Sequence, residues 1–288
     1  MRVHFATIAG VRTRWYEAGP ATAEPLVLLH GVGLPAEIWI HVMPLLATRH
    51  RVLVPDMLGC GMTEPGPRHG GAPQGPVLAH LRAWLDHLHV GNFAVAGGAL
   101  GAVLATQLHL AQPHRVRAVA IVSSGSAFRD DAGQRAMYDE VRANGLSILD
   151  SPTRENCVNR LRRLLGPRAA VPEALVTAQM ICGALPGARD EFLRRVDAMR
   201  DIEKWRCWRL DGRLAEVRAP VLAIFGGLDR QADADLARQG LAQLPQPARF
   251  LVFAESGHYP QLEEPERFAA EMLDFLARAP AVRARAAA

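Results

Sequence analysis

Phe93-Ala-Val-Ala-Gly-Gly-Ala-Leu-Gly-Ala-Val-Leu-Ala105 is the stretch on which the reading of the whole chain turns. The apolar run Phe93 to Ala96 predicts a buried strand, Gly97 and Gly98 break it, and from Gly101 onward small residues predict a closely packed helix. A strand, a sharp turn and a helix with glycines at the first and fifth turn positions form the setting in which a nucleophile is presented at the central position. Gly97 and Gly101 fit that turn because it leaves no room for Cβ atoms. The central residue is Ala99, which has nothing to attack with. A Gly-x-x-x-Gly turn also occurs as plain tight packing, so the surrounding chain has to decide between the two.

With 288 residues the chain is long enough for one α/β unit with a large core and an insertion. A hydrophobic content of 49% and a charged content of 22% are globular values. The net charge of +4 is dispersed, Lys204 is the only lysine, and no basic stripe with interleaved aromatics occurs, which argues against a nucleic-acid partner. Cys60, Cys157, Cys182 and Cys207 are scattered without C-x-x-C spacing, as expected for free thiols in a reducing compartment. The N-terminus shows no apolar signal core, and no uncharged run approaches the ~20 residues of a membrane span. The expected location is cytoplasmic, with no membrane partner.

Outward from the central stretch, the first segment predicts strands at Val3 to Ile8, Val11 to Glu17, Leu26 to Leu29 and Arg51 to Val54, with a helix around Ile38 to Thr48. A Gly- and Pro-rich loop covers Met62 to Pro76, and Leu78, Leu81, Leu85 and Leu88 mark an amphipathic helix over Val77 to His89. A further buried strand runs from Val116 to Val122. This is the βα alternation of a mostly parallel sheet covered by helices. From Ala127 to Cys207 the pattern is helical only, clearest at Pro172 to Gly183 and Arg189 to Arg206. Alternation resumes with strands at Val221 to Phe225 and Arg249 to Ala254, a helix from about Asp233 and a last helix over Pro265 to Arg278, before a tail expected to fray. The expected organisation is a core formed by residues 1–126 and 208–288, with an all-helical cap at 127–207 over the C-terminal edge of the sheet.

A hydrolytic site on such a sheet needs a base and an orienting acid in the chain order nucleophile, acid, histidine. His258, in Ser256-Gly257-His258-Tyr259-Pro260, follows a strand directly. Asp229, closing Phe225-Gly226-Gly227-Leu228-Asp229, stands just past the preceding strand, ahead of the fallback carboxylates Asp233 and Asp235 in the following helix. His41, His80, His87, His89 and His109 fall in helical patterns and read as structural or solvated, and His30 as a residue that orders its loop. Backbone N–H groups of Val32 and Leu100 are the candidate oxyanion donors. Gly31, Gly98 and Tyr259 are expected to touch substrate, with Met180, Leu185 and Trp205 offered as roof residues of an apolar pocket.

Five segments together resemble the α/β-hydrolase family over nearly the whole chain: Leu-Leu-His-Gly-Val-Gly (28–33), Pro-Asp-x-x-Gly-x-Gly (55–61), Gly-Gly-Ala-Leu-Gly (97–101), Gly-Gly-Leu-Asp (226–229) and Gly-His-Tyr-Pro-Gln-Leu-Glu-Glu-Pro-Glu-Arg-Phe (257–268). The resemblance implies an α/β-hydrolase fold, an eight-stranded, mostly parallel sheet with a helical cap inserted after the sixth strand. It also implies hydrolysis of a small-molecule substrate without metal or cofactor, and a homodimer is a candidate assembly. Family members carry Ser or Asp, less often Cys, where this chain has Ala99. Gly33 stands where the Asp branches carry proline, which points to serine as the parent residue. Either serine has been replaced by alanine, or activity has been lost naturally in a ligand-binding homologue; the intact acid and histidine favour replacement. The expected substrates are small carboxylic esters first. Second come aromatic ring-cleavage products split at a C–C bond, whose hydrolases tend to carry asparagine where this chain has Gly98 and an arginine in the cap for the substrate carboxylate. The cap arginines Arg160, Arg162, Arg163, Arg194 and Arg195 are expected mostly on solvated helix faces.

Overall fold

The computed structural model describes residues 1–67 and 73–280. The Gly/Pro-rich loop and the tail therefore lie partly outside the described residues. Eight strands form one sheet in the order β1-β2-β4-β3-β5-β6-β7-β8. They are β1 (Arg2–Ile8), β2 (Val11–Ala18), β3 (Pro25–Leu29), β4 (Arg51–Pro55), β5 (Phe93–Gly98), β6 (Val116–Val122), β7 (Val221–Gly226) and β8 (Arg249–Phe253). The pairings β1–β2 and β2–β4 are antiparallel and every other pairing is parallel.

Because side chains alternate across a strand, continuous apolar runs supply two cores at once. In β3, Val27 and Leu29 join a cluster around Trp84, while Leu26 and Leu28 join the opposite one around Trp39 and Phe268. β7 divides likewise, with Ala223 and Phe225 on the first face and Leu222 and Ile224 on the second.

The helices are α1 (Met43–Leu46), α2 (Gln74–His87), α3 (Leu100–Ala111), α4 (Asp131–Leu149), α5 (Arg154–Arg162), α6 (Glu173–Gly183), α7 (Ala188–Arg200), α8 (Ile202–Trp205), α9 (Ala234–Leu241), α10 (Pro260–Glu263) and α11 (Pro265–Arg278). All the described regular structure between β6 and β7 is helical, and its last turns are the 3-10 segments Arg206–Trp208 and Leu214–Glu216.

Two expected helices are shorter than their patterns suggest. Ile38 to Thr48 is not one helix but a 3-10 turn at Ala36–Trp39 followed by the single-turn α1. Pro44 has no N–H to carry a helix through and instead starts a new one. Arg189 to Arg206 is interrupted at Asp201, which adopts an extended conformation and caps α8 by accepting from the Lys204 N–H. Among the described residues no helix is long and apolar enough to cross a membrane.

Candidate active site at the sheet's C-terminal edge

β5 delivers Ala99 into a turn with φ 51° and ψ −118°, a conformation a residue with a Cβ avoids at a cost of about 1–3 kcal/mol. The glycines around it are sterically required. A Cβ on Gly97 would run into the Gly101 backbone, and one on Gly101 into the carbonyls of Leu29 and His30. The Ala99 N–H donates to the Val122 carbonyl at 2.9 Å, and Ser124 donates its hydroxyl to the Ala99 carbonyl, also at 2.9 Å. The turn is thus braced from the end of β6 and holds the shape a nucleophile would need.

Past β7, Asp229 is fixed by its own loop. Its Oδ1 accepts from the Gln231 and Ala232 N–H groups at 2.8 and 3.1 Å. Its Oδ2 accepts from His258 Nδ1 at 2.8 Å, with both side chains buried. That bond fixes the proton on Nδ1 and leaves the Nε2 lone pair free for chemistry. The His258 backbone N–H donates to the Leu164 carbonyl at 2.7 Å, so the segment after α5 anchors the histidine loop. Asp233 is no rival to Asp229, since its carboxylate caps α9 through the Asp235 and Leu236 N–H groups.

Ala99, Leu100, Gly31, Val32, His258 and Tyr259 line one cavity of about 40 Å³ beneath α4 and α5. His30 lies below the loop that carries Val32. Its Nδ1 donates to the Gly31 carbonyl at 2.8 Å and its Nε2 accepts the Met57 N–H at 2.9 Å. Burial holds its pKa below the usual histidine value, and the neutral ring orders the loop as the sequence suggested.

Four of the expected substrate contacts are placed elsewhere. Trp205 is fully buried in the core, with its ring 6.0 Å from that of Tyr138, so it backs the cavity wall instead of lining it. Met180 packs against the second core cluster, and a Cβ on Gly98 would point toward Gln261 and Trp39; neither residue lines the cavity. Leu185 lines a second chamber of about 470 Å³, between the insertion and the 59–65 loop.

The cap arginines are not all solvated either, because Arg160 and Arg195 are buried. Arg160 stands with Leu34 on the walls of both chambers. Its Nη1 donates to the neutral oxygens of Gly33 and Gln179, at 3.1 Å each, while Nε has no partner. Among the described residues it forms no ion pair, and burial pulls its pKa down. The sequence did carry a signal: Arg160 falls in phase with Cys157 and Leu161, the buried stripe of α5, whereas Arg162 and Arg163 do not.

A model of the alpha/beta hydrolase family matches residues 26–271. The chain belongs to the α/β-hydrolase family. A 2-hydroxy-6-oxononadienedioate/2-hydroxy-6-oxononatrienedioate hydrolase of Paraburkholderia xenovorans (strain LB400) is 27% identical over 281 residues, covering 93% of this chain and 91% of the relative. A dihydrolipoyllysine-residue acetyltransferase component of an acetoin cleaving system from Pseudomonas putida is 30% identical over 276 residues, covering 94% and 68%. Among solved structures, a meta-cleavage product hydrolase from Pseudomonas fluorescens IP01, as a serine-to-alanine mutant complexed with acetates, superposes with a TM-score of 0.77. That structure is 24% identical over 95% of this chain and 97% of its own, which supports the shared hydrolase fold.

Proposed function

We propose that the cavity of this α/β-hydrolase, together with the larger chamber that shares its Leu34 and Arg160 wall, binds a carbonyl compound bearing a carboxylate, and that with serine at position 99 the protein hydrolyses a C–C bond of a 2-hydroxy-6-oxo-dienoate. The observation that carries this reading is Arg160, a buried cation that pairs with no carboxylate among the described residues, on the wall of the cavity that holds His258 and Ala99. A simple ester gives such a group nothing to bind, whereas a dienoate brings its own anion. The curated relative from Paraburkholderia, named for a 2-hydroxy-6-oxo dioate, points to the same substrate class.

A serine hydroxyl on the strained turn would face the free Nε2 of His258. That nitrogen takes the hydroxyl proton as the oxygen attacks the substrate carbonyl. The resulting oxyanion is met by the Val32 and Leu100 N–H groups. The dienol reacts as its keto tautomer, in which the 2-hydroxyl proton has moved to C5, so the C–C bond then breaks with its electrons delocalised through the C3–C4 double bond onto the 2-oxo oxygen. The His258 imidazolium returns the proton to the departing dienolate oxygen, and water activated by the same histidine hydrolyses the acyl-serine. With Ala99 only binding and residual turnover are left.

Ala99→Ser should therefore raise turnover of a ring-cleavage dienoate by about 10⁵–10⁶-fold, with short esters turned over more slowly. A serine variant that cleaves neither substrate and takes no fluorophosphonate label would sink the assignment. Faster cleavage of esters, unaffected by Arg160→Met, would leave ester hydrolysis as the activity. The alanine itself favours a second reading, a natural ligand-binding homologue, which an alanine codon at position 99 of the native gene would support.

A further inference from the structure

We propose that Phe192, on α7 of the helical insertion, is a positioning residue for the oxyanion loop and acts through Gly33. This inference rests on the hydrolase reading of the site and names a residue with no part in the chemistry itself. Gly33 directly follows Val32, the candidate donor, and lies at φ 65°, where a side chain is disfavoured.

Groups from the insertion meet at this residue. A Cβ on Gly33 would come within 2.8 Å of the Phe192 ring. On the far side a Cβ on Gly145 of α4 would collide with the same ring, so two glycines from different segments make the slot that holds it. The Gly33 carbonyl accepts from Arg160 Nη1 at 3.1 Å. The Gly33 amide faces the sulfur of Cys60, and that sulfur is 3.1 Å from Arg195 Nη1.

Phe192 and Arg195 are three residues apart on α7, so they share a helix face and reach the loop together. Arg195 is held in turn by Glu191 at 3.0 Å and donates to the Leu58 carbonyl. The insertion thus packs Phe192 against the Cα of one loop residue, holds its carbonyl through Arg160 and reaches its amide side through Arg195 on the Cys60 sulfur. A one-residue displacement there would carry the Val32 N–H away from the oxygen it is meant to meet. Filling the slot fixes the loop; emptying it frees the loop while Asp229 and His258, held by other contacts, stay in place.

The test is amide hydrogen exchange followed by mass spectrometry on the chain as it stands, comparing Phe192→Ala, Phe192→Leu and Arg195→Met with the parent. In Phe192→Ala, exchange across residues 30–36 should rise by about tenfold or more, with β3 and the segment 229–232 unchanged. Leucine, which refills most of the slot, should restore slow exchange, and Arg195→Met should reproduce part of the loosening. In the Ala99→Ser background, Phe192→Ala should lower kcat by about 10- to 100-fold with KM nearly constant, as expected when one oxyanion donor is misplaced. Unchanged exchange at 30–36, or a uniform rise over the whole chain, would overturn the proposal. If Ala99→Ser proves inactive, the functional reading fails by itself, and the exchange pattern still decides the role of Phe192.

Discussion

Two buried arginines, Arg14 in the sheet and Arg160 in the helical insertion, are 2% and 4% exposed yet stand in opposite company. Arg14 donates through Nε to Asp56 and through Nη1 and Nη2 to the two oxygens of Glu37, at 2.9 Å each. Asp56 in turn accepts the Ala36 and Met62 N–H groups at 2.8 Å, and Tyr16 donates to Glu37 at 2.7 Å. Burial by itself would lower the Arg14 pKa, but the two carboxylates outweigh it and raise it. Arg160 has only neutral oxygens, and burial prevails, lowering its pKa. The first charge is satisfied by carboxylates of the fold, and the second has only neutral partners among the described residues, which is why the proposed function gives it the substrate carboxylate. The sheet region thus pairs its buried arginine for architecture, while under the proposed function the insertion keeps one for recognition.

The largest effect that would sharpen the contrast is on the Arg14 side. Arg14→Met leaves Glu37 and Asp56 buried and unpaired, and should cost about 3–5 kcal/mol in denaturant unfolding. A loss below about 1 kcal/mol would mean the network is dispensable, and the contrast with Arg160 would disappear.

Arg160→Met should behave in the opposite way. With no carboxylate stranded by its removal, stability should hold or rise in the same unfolding measurement. Affinity of the Ala99 chain for a ring-cleavage dienoate, read by calorimetric titration, should fall by about 10- to 100-fold, the worth of a charged hydrogen bond. A stability loss as large as that of Arg14→Met, with binding intact, would make Arg160 a structural residue and remove the basis for preferring a dienoate.

Much of this contrast was readable beforehand on one side only. The elbow, Asp229 and His258 follow from local rules: apolar strands must end at one edge of a parallel sheet, and glycines must stand where a Cβ collides, as they do at Gly97 and Gly101. The insertion obeys no such edge rule. Trp205 and Met180 have the hydrophobicity of pocket residues but the helical spacing of core; Trp205 lies in the core and Met180, half-buried, packs against it. Arg160 was not singled out from the other cap arginines because three of them lie within four residues of one another and only helical phase separates the buried one from the other two. Phe192 was invisible for another reason. Its importance comes from Gly33 and Gly145, distant in sequence, leaving space for one ring.

The smallest predicted effect belongs to the sheet side and concerns pH. His30 is satisfied only as a neutral ring, since a proton on Nε2 would face the Met57 N–H that this nitrogen now accepts. Burial accordingly holds its pKa below the unfolded value of about 6.5. Between the folded and unfolded values the unfolded chain binds a proton that the folded chain does not, so stability must rise with pH there. The contribution is complete above about pH 6.5, is lost as pH falls through the folded-state value, and is flat below it. His50, His80 and His109 are shifted in the same direction by burial, so the share of His30 has to be isolated by difference. His30→Gln, whose side-chain oxygen can accept the Met57 N–H at any pH, should flatten the dependence of unfolding free energy on pH below 6.5 by up to about 1.4 kcal/mol per pH unit. Denaturant titrations of both proteins from pH 4.5 to 7.5 read this directly, and parallel curves would show that protonation of His30 is not what loosens the loop. Because the loop that His30 orders also carries Val32, dienoate binding to the parent chain should weaken over the same pH range, and the glutamine variant should keep its affinity.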